Sequence, residues 1–479
     1  LENEYRTYQI IIKKGHKLYP YFANLCSNGK NLYNTTNFYI RQVYTALKQE
    51  KEWQPLQQEV MATISNNIDK MNENQRKCWE KKMKKEMAKP EEERKEIKLN
   101  LFDLPTKEHS FLGYNFLDCL FKTMKQQDYC SLPGQINQQV IRNVIQNWQS
   151  FFESLQDYKL NPEKYKGRPK IPRYLAKDGQ KEITLSNQIC KMVDGKYLRF
   201  PKTKSRMNTG KLASNNGKLQ QVRVVPKYGQ YVVEIIYLLG EKKEINAKLE
   251  SCMGIDLGLN NIATIVTNTG ITPVLFNGGR IKSINQWYNK LRAYYYAVLR
   301  NGKNTNIGAY YSKRLLKLDS KRNNQIKDLF HKISCNIIKM AKENEIDTII
   351  IGKNAGWKQE VNLGKRNNQN FVQVPHSILI KLLMYKAHAE GISVMITEES
   401  YTSKASFLDE DFIPTYKVGD EQHVFSGKRI YRGLYRSQNH ILIHADVNAA
   451  CNIVRKVVPK AFANGIAAVC SQPHVVNVH

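Results

Sequence analysis

The chain has 479 residues, 41% hydrophobic and 10% aromatic, which is enough for two or more domains with buried cores and too apolar for a disordered polymer. Its formal net charge of +31 is the strongest compositional signal, because a compact chain tolerates that self-repulsion best when a polyanion neutralises it. No apolar run approaches the roughly 20 residues of a membrane span and no secretory leader pattern stands at the start, so nucleic acid rather than membrane is the expected partner.

Along the chain, Tyr5 to Lys13 (YQIIIKK at its end) reads as a strand, and apolar periodicity from Leu18 to Glu50 predicts a helix. Residues 55 to 165 continue as helices, with a densely charged stretch from Lys77 to Lys98 interrupted by Pro90. Trp148, Phe151, Phe152 and Leu155 sit at helical spacing and read as core. From residue 166 the texture changes: KGRPKIPRY carries two prolines, and the β-like runs Leu219–Val225 and Gln230–Leu239 flank a Pro-Lys-Tyr-Gly turn. Glu241 to Glu250 is charged and linker-like. From Cys252 three short strands are followed by two basic helices (281 to 300 and 308 to 343), a strand at Thr348–Ile351, a helix at Ser377–Glu390, a strand at Ile392–Thr397 and a last helix from Asp446 to about Val458. Three meandering strands followed by helix, strand, helix, strand, helix is the layout of an RNase H-like domain.

The nine cysteines include no C-x-x-C pair, which suits buried free thiols in a reducing compartment and leaves no close-paired zinc ligands. Chemistry is therefore sought among the acids. Asp256, in GIDLGLNN, lies on a strand among apolar residues, where a carboxylate is costly unless paired or bound to a cation. Asp446, in HADVNAACNI, lies at a helix start, where aspartate commonly caps, but Asn448, Ala449, Ala450 and Asn452 keep that helix face small and polar. Glu398 and Glu399 end an apolar strand, and neighbouring residues of a strand point to opposite sides, so one at most would face a site. Hard carboxylate oxygens of this kind hold the two Mg2+ ions used in phosphodiester hydrolysis.

The order GIDLG, then YTS, then DVNAACNI resembles the TnpB family, RNA-guided nucleases of bacterial insertion elements related to type V CRISPR nucleases and to Fanzor proteins. The resemblance covers most of the C-terminal half by motif and the N-terminal half by texture only. It implies an α/β multidomain fold: an RNase H-like RuvC nuclease domain in the C-terminal half, and an N-terminal β wedge domain interrupted by a helical recognition domain. The corresponding boundaries are 1–17 for the first wedge strand, 18–165 for the helical domain, 166–250 for the rest of the wedge and linker, 251–402 for the RuvC core, 403–445 for a nucleic-acid-loading loop insertion, and 446–479 for the final helix and tail. Asp256 matches the first acid of the family and Asp446 the third. The second departs from the pattern, because Gly352 stands where a stretch like IEDL has its glutamate. Some relatives place that glutamate just before the Thr-Ser motif, and Glu399 in E-S-Y-T-S fits that placement, with Glu398 as the alternative. The family's two C-x-x-C pairs are also missing, so a zinc-free loop insertion is expected. There Arg429, Arg432 and Arg436 either approach the cut strand or lie exposed on a hairpin. Lys353, Asn354, Trp357 and Lys358, in the polar stretch KNAGWKQE, are expected to line a nucleic-acid groove.

The resulting expectation is a magnesium-dependent, RNA-guided DNA endonuclease with Asp256, Glu399 and Asp446 as metal ligands. Its partners would be a guide RNA and double-stranded target DNA, in the prokaryotic cytoplasm, with a monomer favoured. The alternatives are a nuclease-inactive guided repressor and a protein-only transposase or resolvase of the same fold.

Overall fold

The computed structural model describes residues 3–210, 217–241, 244–304, 307, 309–354, 373–416, 423–463 and 472–478. The chain divides into two compact units, Leu1–Lys242 and Lys243–His479.

In the first unit β1 (Asn3–Ile12) is followed by five helices, α1 (Tyr19–Lys48), α2 (Pro55–Met87), α3 (Tyr114–Thr123), α4 (Gln127–Ser131) and α5 (Gly134–Leu160). Beyond them come β2 (Ile183–Ser186), β3 (Lys191–Val193), β4 (Tyr197–Arg199), β5 (Arg206–Asn208), β6 (Lys218–Lys227) and β7 (Gln230–Glu241). β1 pairs antiparallel with β7 from across the helical segment, giving a four-stranded sheet in the order β1-β7-β6-β2. The hairpin between β6 and β7 turns on Tyr228 and Gly229, both at positive φ, the primed geometry that matches strand twist. Trp148 is fully buried and donates Nε1 to Asn37 Oδ1 at 2.9 Å, so it serves packing. The helices are not continuous from 55 to 165 as periodicity suggests. Residues 88–113 form only a single 3-10 turn at Glu91–Glu93. Pro90 stops the helix, and the extended chain is strapped along α2 by Trp79 Nε1 to the Ile97 carbonyl and by the paired side-chain bonds of Asn72 with Phe102.

The second unit is built on β8 (Cys252–Asp256), β9 (Asn261–Thr267) and β10 (Val274–Asn277), an antiparallel meander. Then come α6 (Gly279–Arg300), α7 (Lys313–Glu343), β11 (Thr348–Gly352), α8 (His376–Ala389) and β12 (Ser393–Thr397). β11 lies parallel beside β8, and β12 parallel beside β11. A short β13 (Lys428–Tyr431), β14 (Leu434–Arg436) and β15 (Leu442–His444) form their own antiparallel sheet. α9 (Ala445–Val457) follows, and β16 (His474–Val476) closes the large sheet by pairing parallel with β10. The large sheet thus runs β12-β11-β8-β9-β10-β16.

Both faces of that sheet are covered. Met253, Ile255, Ile349 and Ile351 pack with Phe330, Ile333 and Leu383 of α7 and α8, whereas Cys252, Val266 and Ile350 pack with Val447, Ala450 and Val454 of α9. Strand alternation therefore puts Gly254 and Asp256 of β8, and Gly352 of β11, on the α9 face. Gly254 makes the close approach possible, because a Cβ there would lie 2.4 Å from Val454 Cγ2 and 2.8 Å from the Ala450 carbonyl. Among the described residues no helix is long and apolar enough to cross a membrane.

Candidate active site

Asp256 ends β8, and Asp446 lies in the first turn of α9 on the face that β8 packs against. The register pairs Ile351 with Ile255, which brings Gly352 alongside Asp256 on the neighbouring strand. An ideal Cβ on Gly352 would stand 2.9 Å from Glu399 Oε2 and 2.5 Å from Ile453 Cδ1. The Glu399 carboxylate therefore occupies the space that a side chain at 352 would enter. Its backbone N–H donates to Asn354 Oδ1 at 2.9 Å, and its carbonyl accepts the Thr402 hydroxyl at 2.9 Å, fixing the turn that follows β12. Glu398 points elsewhere. It is ion-paired with the nearly buried Lys456 of α9 and accepts the Ser400 N–H at 2.7 Å.

Electrostatics mark Asp256 and Glu399. Burial, then the charges of Asp446 and Glu399, hold the Asp256 carboxyl well above the ordinary carboxylate range. Burial, then the neighbouring Glu398, pushes Glu399 up to about 7. Burial also opposes ionisation of Glu398, but its bonds from Lys456 and Ser400 prevail and keep it below the usual value. Asp446 is the most heavily engaged. Its Oδ2 accepts Asn261 Nδ2 at 2.8 Å, and its Oδ1 accepts Arg429 Nη2 at 3.2 Å.

Among the described residues, no three His, Cys, Asp or Glu side chains stand close enough together to hold a metal ion as they are. The donor set nevertheless suits a hard divalent cation: the charges of Asp446 and Glu399 beside the buried Asp256 carboxyl are an excess such a cation relieves. In its place Arg429 supplies the counter-charge on Asp446, and a metal ion would compete with it for that oxygen.

The other sequence-selected residues divide. Lys353 bonds through its backbone N–H to the Thr397 carbonyl, and the Asn354 side chain is engaged by Glu399, so Asn354 shapes the acid site directly. Trp357 and Lys358 lie outside the described residues. Arg429 reaches Asp446 and the Arg432 carbonyl, Arg432 is exposed on the turn, and Arg436 is half-buried in β14. His444, not Asp446, caps α9: its Nδ1 accepts the Asp446 N–H at 3.3 Å. A capping aspartate would precede the helix, whereas Asp446 is its second residue.

Asn261, His376 and Lys456 were not singled out by sequence. Asn261 bonds the third acid, and the GLNN run following Asp256 was its only signal. His376 Nε2 meets the Gly258 carbonyl at 2.9 Å and pins the loop after the first acid. Lys456 removes Glu398 from competition for the site. Nothing in a linear reading links these residues to acids 58 to 185 positions away.

Residues 235–358 match the family model OrfB_IS605, described as "Probable transposase", and residues 376–453 match the Cas12f1-like TNB domain model. These two matches support a TnpB-family protein. Asp256 falls within the first match, Glu399 and Asp446 within the second. No curated protein matches the sequence. Among solved structures, the chain is similar at 16% identity and TM-score 0.30 to one described as a CRISPR-Cas12f ternary complex, over 51% of this chain and 47% of that one. It is similar at 10% identity and TM-score 0.31 to a chain of a Cas12f1–sgRNA–target DNA complex, over 94% of this chain and 99% of that one. Similarity to Alicyclobacillus acidoterrestris C2c1 with single-guide RNA is 11% identity and TM-score 0.25, over 92% of this chain and 33% of that one. The chain thus spans about half of the first structure and a third of the last.

Proposed function

We propose that this TnpB-family chain is an RNA-guided DNA endonuclease whose second unit is an RNase H-like RuvC domain. The reading rests above all on one observation: the Glu399 carboxylate lies over the bare backbone of Gly352, beside Asp256, where the usual family glutamate would begin. The strand order, with a three-strand meander at β8 and two parallel strands added on its other side, supports the RNase H-like assignment.

Asp256, Glu399 and Asp446 would hold two Mg2+ ions. When bound, such ions supply activation of the attacking water and stabilisation of the leaving 3′ oxygen. The chain's own residues do the rest. Asn354 and Thr402 orient Glu399, and Asn261 orients Asp446. Arg429, with 42% of its side chain exposed and its guanidinium now on Asp446, would be the cation placed to hold the scissile phosphate. The cysteine-free segment between Glu399 and Asp446 is held by Asp411, whose carboxylate accepts the Ser406 and Ser426 N–H groups, and by Asn448 and Asn452 of α9. Base pairing with the guide would read the target, and the basic surface would hold the heteroduplex by its backbone.

The deciding experiment has two parts. RNA copurifying with the chain is sequenced, then a matching target duplex is offered with and without magnesium. A defined RNA and magnesium-dependent cutting lost in Asp256→Ala support the reading, whereas undiminished cutting by that variant overturns the site. The description of the matched family as a transposase favours a second reading, protein-only cleavage on the same fold. Cutting that survives removal of all RNA would select it.

A further inference from the structure

The turn between β8 and β9 has the first acid at one end and a partner of the third at the other. Asp256 ends β8, and Asn261, which begins β9, donates Nδ2 to Asp446 Oδ2 at 2.8 Å. The backbone between them is thus a spacer that sets how far apart these two carboxylates stand. It is tightly folded: a Cβ on Gly258 would lie 2.7 Å from the Asn261 carbonyl oxygen. The start of α6 presses on it, where the Gly278 N–H donates to the Asn260 carbonyl at 2.6 Å and Lys282 Nζ bonds the Asn260 side chain. From α8 comes His376, 1% exposed, with Nε2 2.9 Å from the Gly258 carbonyl. A carbonyl oxygen only accepts, so Nε2 carries the hydrogen. The chain leading to His376 is itself held. Gln373 exchanges two side-chain bonds with Asn289 of α6, at 3.0 and 2.8 Å, and its carbonyl accepts Arg322 Nη2 of α7 at 2.7 Å. Arg322 Nε in turn donates to the buried Asn285 of α6 at 2.9 Å.

We propose that His376 is a positioning residue for the divalent-cation site: through the Gly258 carbonyl it fixes the turn, and through Asn261 the separation of Asp256 from Asp446. This rests on the metal-dependent nuclease reading and adds to it a residue that acts through the turn. The competing account is that His376 merely anchors the start of α8. That helix has an apolar anchor of its own in the buried Leu379, Ile380, Leu382 and Leu383, whereas the imidazole bond is spent on a carbonyl two residues from Asp256. α8 also leads into β12, after which Glu399 stands. One helix therefore carries the second acid's strand and, at its other end, holds the turn that relates the first acid to the third.

The test compares the full chain with its copurified RNA, unsubstituted and as His376→Leu, His376→Gln and His376→Asn. Glutamine places its amide nitrogen as many bonds from Cα as the imidazole Nε2, whereas asparagine falls one short. Mn2+ affinity is read by electron paramagnetic resonance, cleavage by single-turnover kinetics in magnesium, target binding by anisotropy in EDTA, and folding by thermal melting. For Leu and Asn, Mn2+ binding should weaken roughly tenfold and cleavage slow about a hundredfold, with target binding unchanged. Gln should restore most of both. Asn261→Ala should weaken Mn2+ binding similarly, and combining it with His376→Leu should cost less than the sum, because both act on Asp446. Should the Leu variant fail to fold, the Gln and Asn pair carries the comparison. Additive losses, equal Mn2+ binding by Gln and Asn, or variants that melt lower yet bind Mn2+ and cut as the parent does would each overturn the positioning role and leave the nuclease reading intact. A parent chain that binds Mn2+ through Asp256 but cuts nothing would instead remove the nuclease reading, with His376 then judged on Mn2+ affinity. Absence of Mn2+ binding by the parent would remove both.

Discussion

At the scale of single residues, Gly352 and Glu399 exclude each other. Gly352→Ala would push a methyl group to within 2.9 Å of the carboxylate oxygen and 2.5 Å of Ile453, so one of them must shift. Because misplacement of about 1 Å can lower a rate about a hundredfold, the expected outcome is a drop of that order in cleavage, with RNA binding retained, read by single-turnover kinetics. Glu399 also sets a pH dependence. Its folded-state value of about 7, against an ordinary 4.5, means the folded chain binds that proton more tightly than the unfolded chain. Stability is therefore fully present below about 4.5 and declines as pH rises through about 7. Glu399→Gln should remove this decline and melt higher than the parent chain in EDTA at pH 8, by a free energy of a few kcal/mol, but not at pH 5. Equal melting of the two proteins at pH 8 would show that the carboxylate is not under this strain.

At the scale of elements, α9 both presents the third acid and fastens the segment that follows the second. Asn452 Nδ2 donates to the Thr402 and Ala405 carbonyls at 2.9 and 2.8 Å, and Asn448 bridges the Ala405 carbonyl and the Phe407 N–H. All of these groups are buried and Asn448 still serves the Ala405 carbonyl, so Asn452→Leu should leave the Thr402 carbonyl unsatisfied and destabilise the segment by roughly 1–3 kcal/mol. Hydrogen exchange at 402–407 should accelerate correspondingly, before global unfolding. The long elements were readable from sequence because their periodicity is local: the meander after Cys252, the strand at 348–351 and the helices α7 and α8 need only their own residues to declare themselves. The short ones were not. β3, β4, β5, β13, β14, β15 and β16 have three or four residues each and become strands only through partners, as β16 does against β10 some 200 residues earlier. Asp256 and Asp446 could be selected because a carboxylate in an apolar strand or beside a small-residue helix face stands out, whereas Glu399 was preferred to Glu398 only through the resemblance of E-S-Y-T-S to the placement in relatives. Asn261 and His376 are ordinary residues until the fold brings them to the site.

At the scale of the whole molecule, the charge of +31 predicts affinity dominated by phosphates. Binding of RNA should fall by about a thousandfold or more between 50 and 200 mM salt, with log affinity linear in log salt; a flat response would mean that few phosphates are engaged. The last feature concerns the order in which the second unit is made. Asp446 leaves the ribosome about 190 residues after Asp256, and the helix that carries it must then settle onto a sheet already laid down, through the gap left by Gly254. A nascent chain thus carries its basic surfaces and its first carboxylate long before it has a complete set. On the proposed nuclease reading, the delay means that synthesis interrupted before α9 releases no fragment with all three acids.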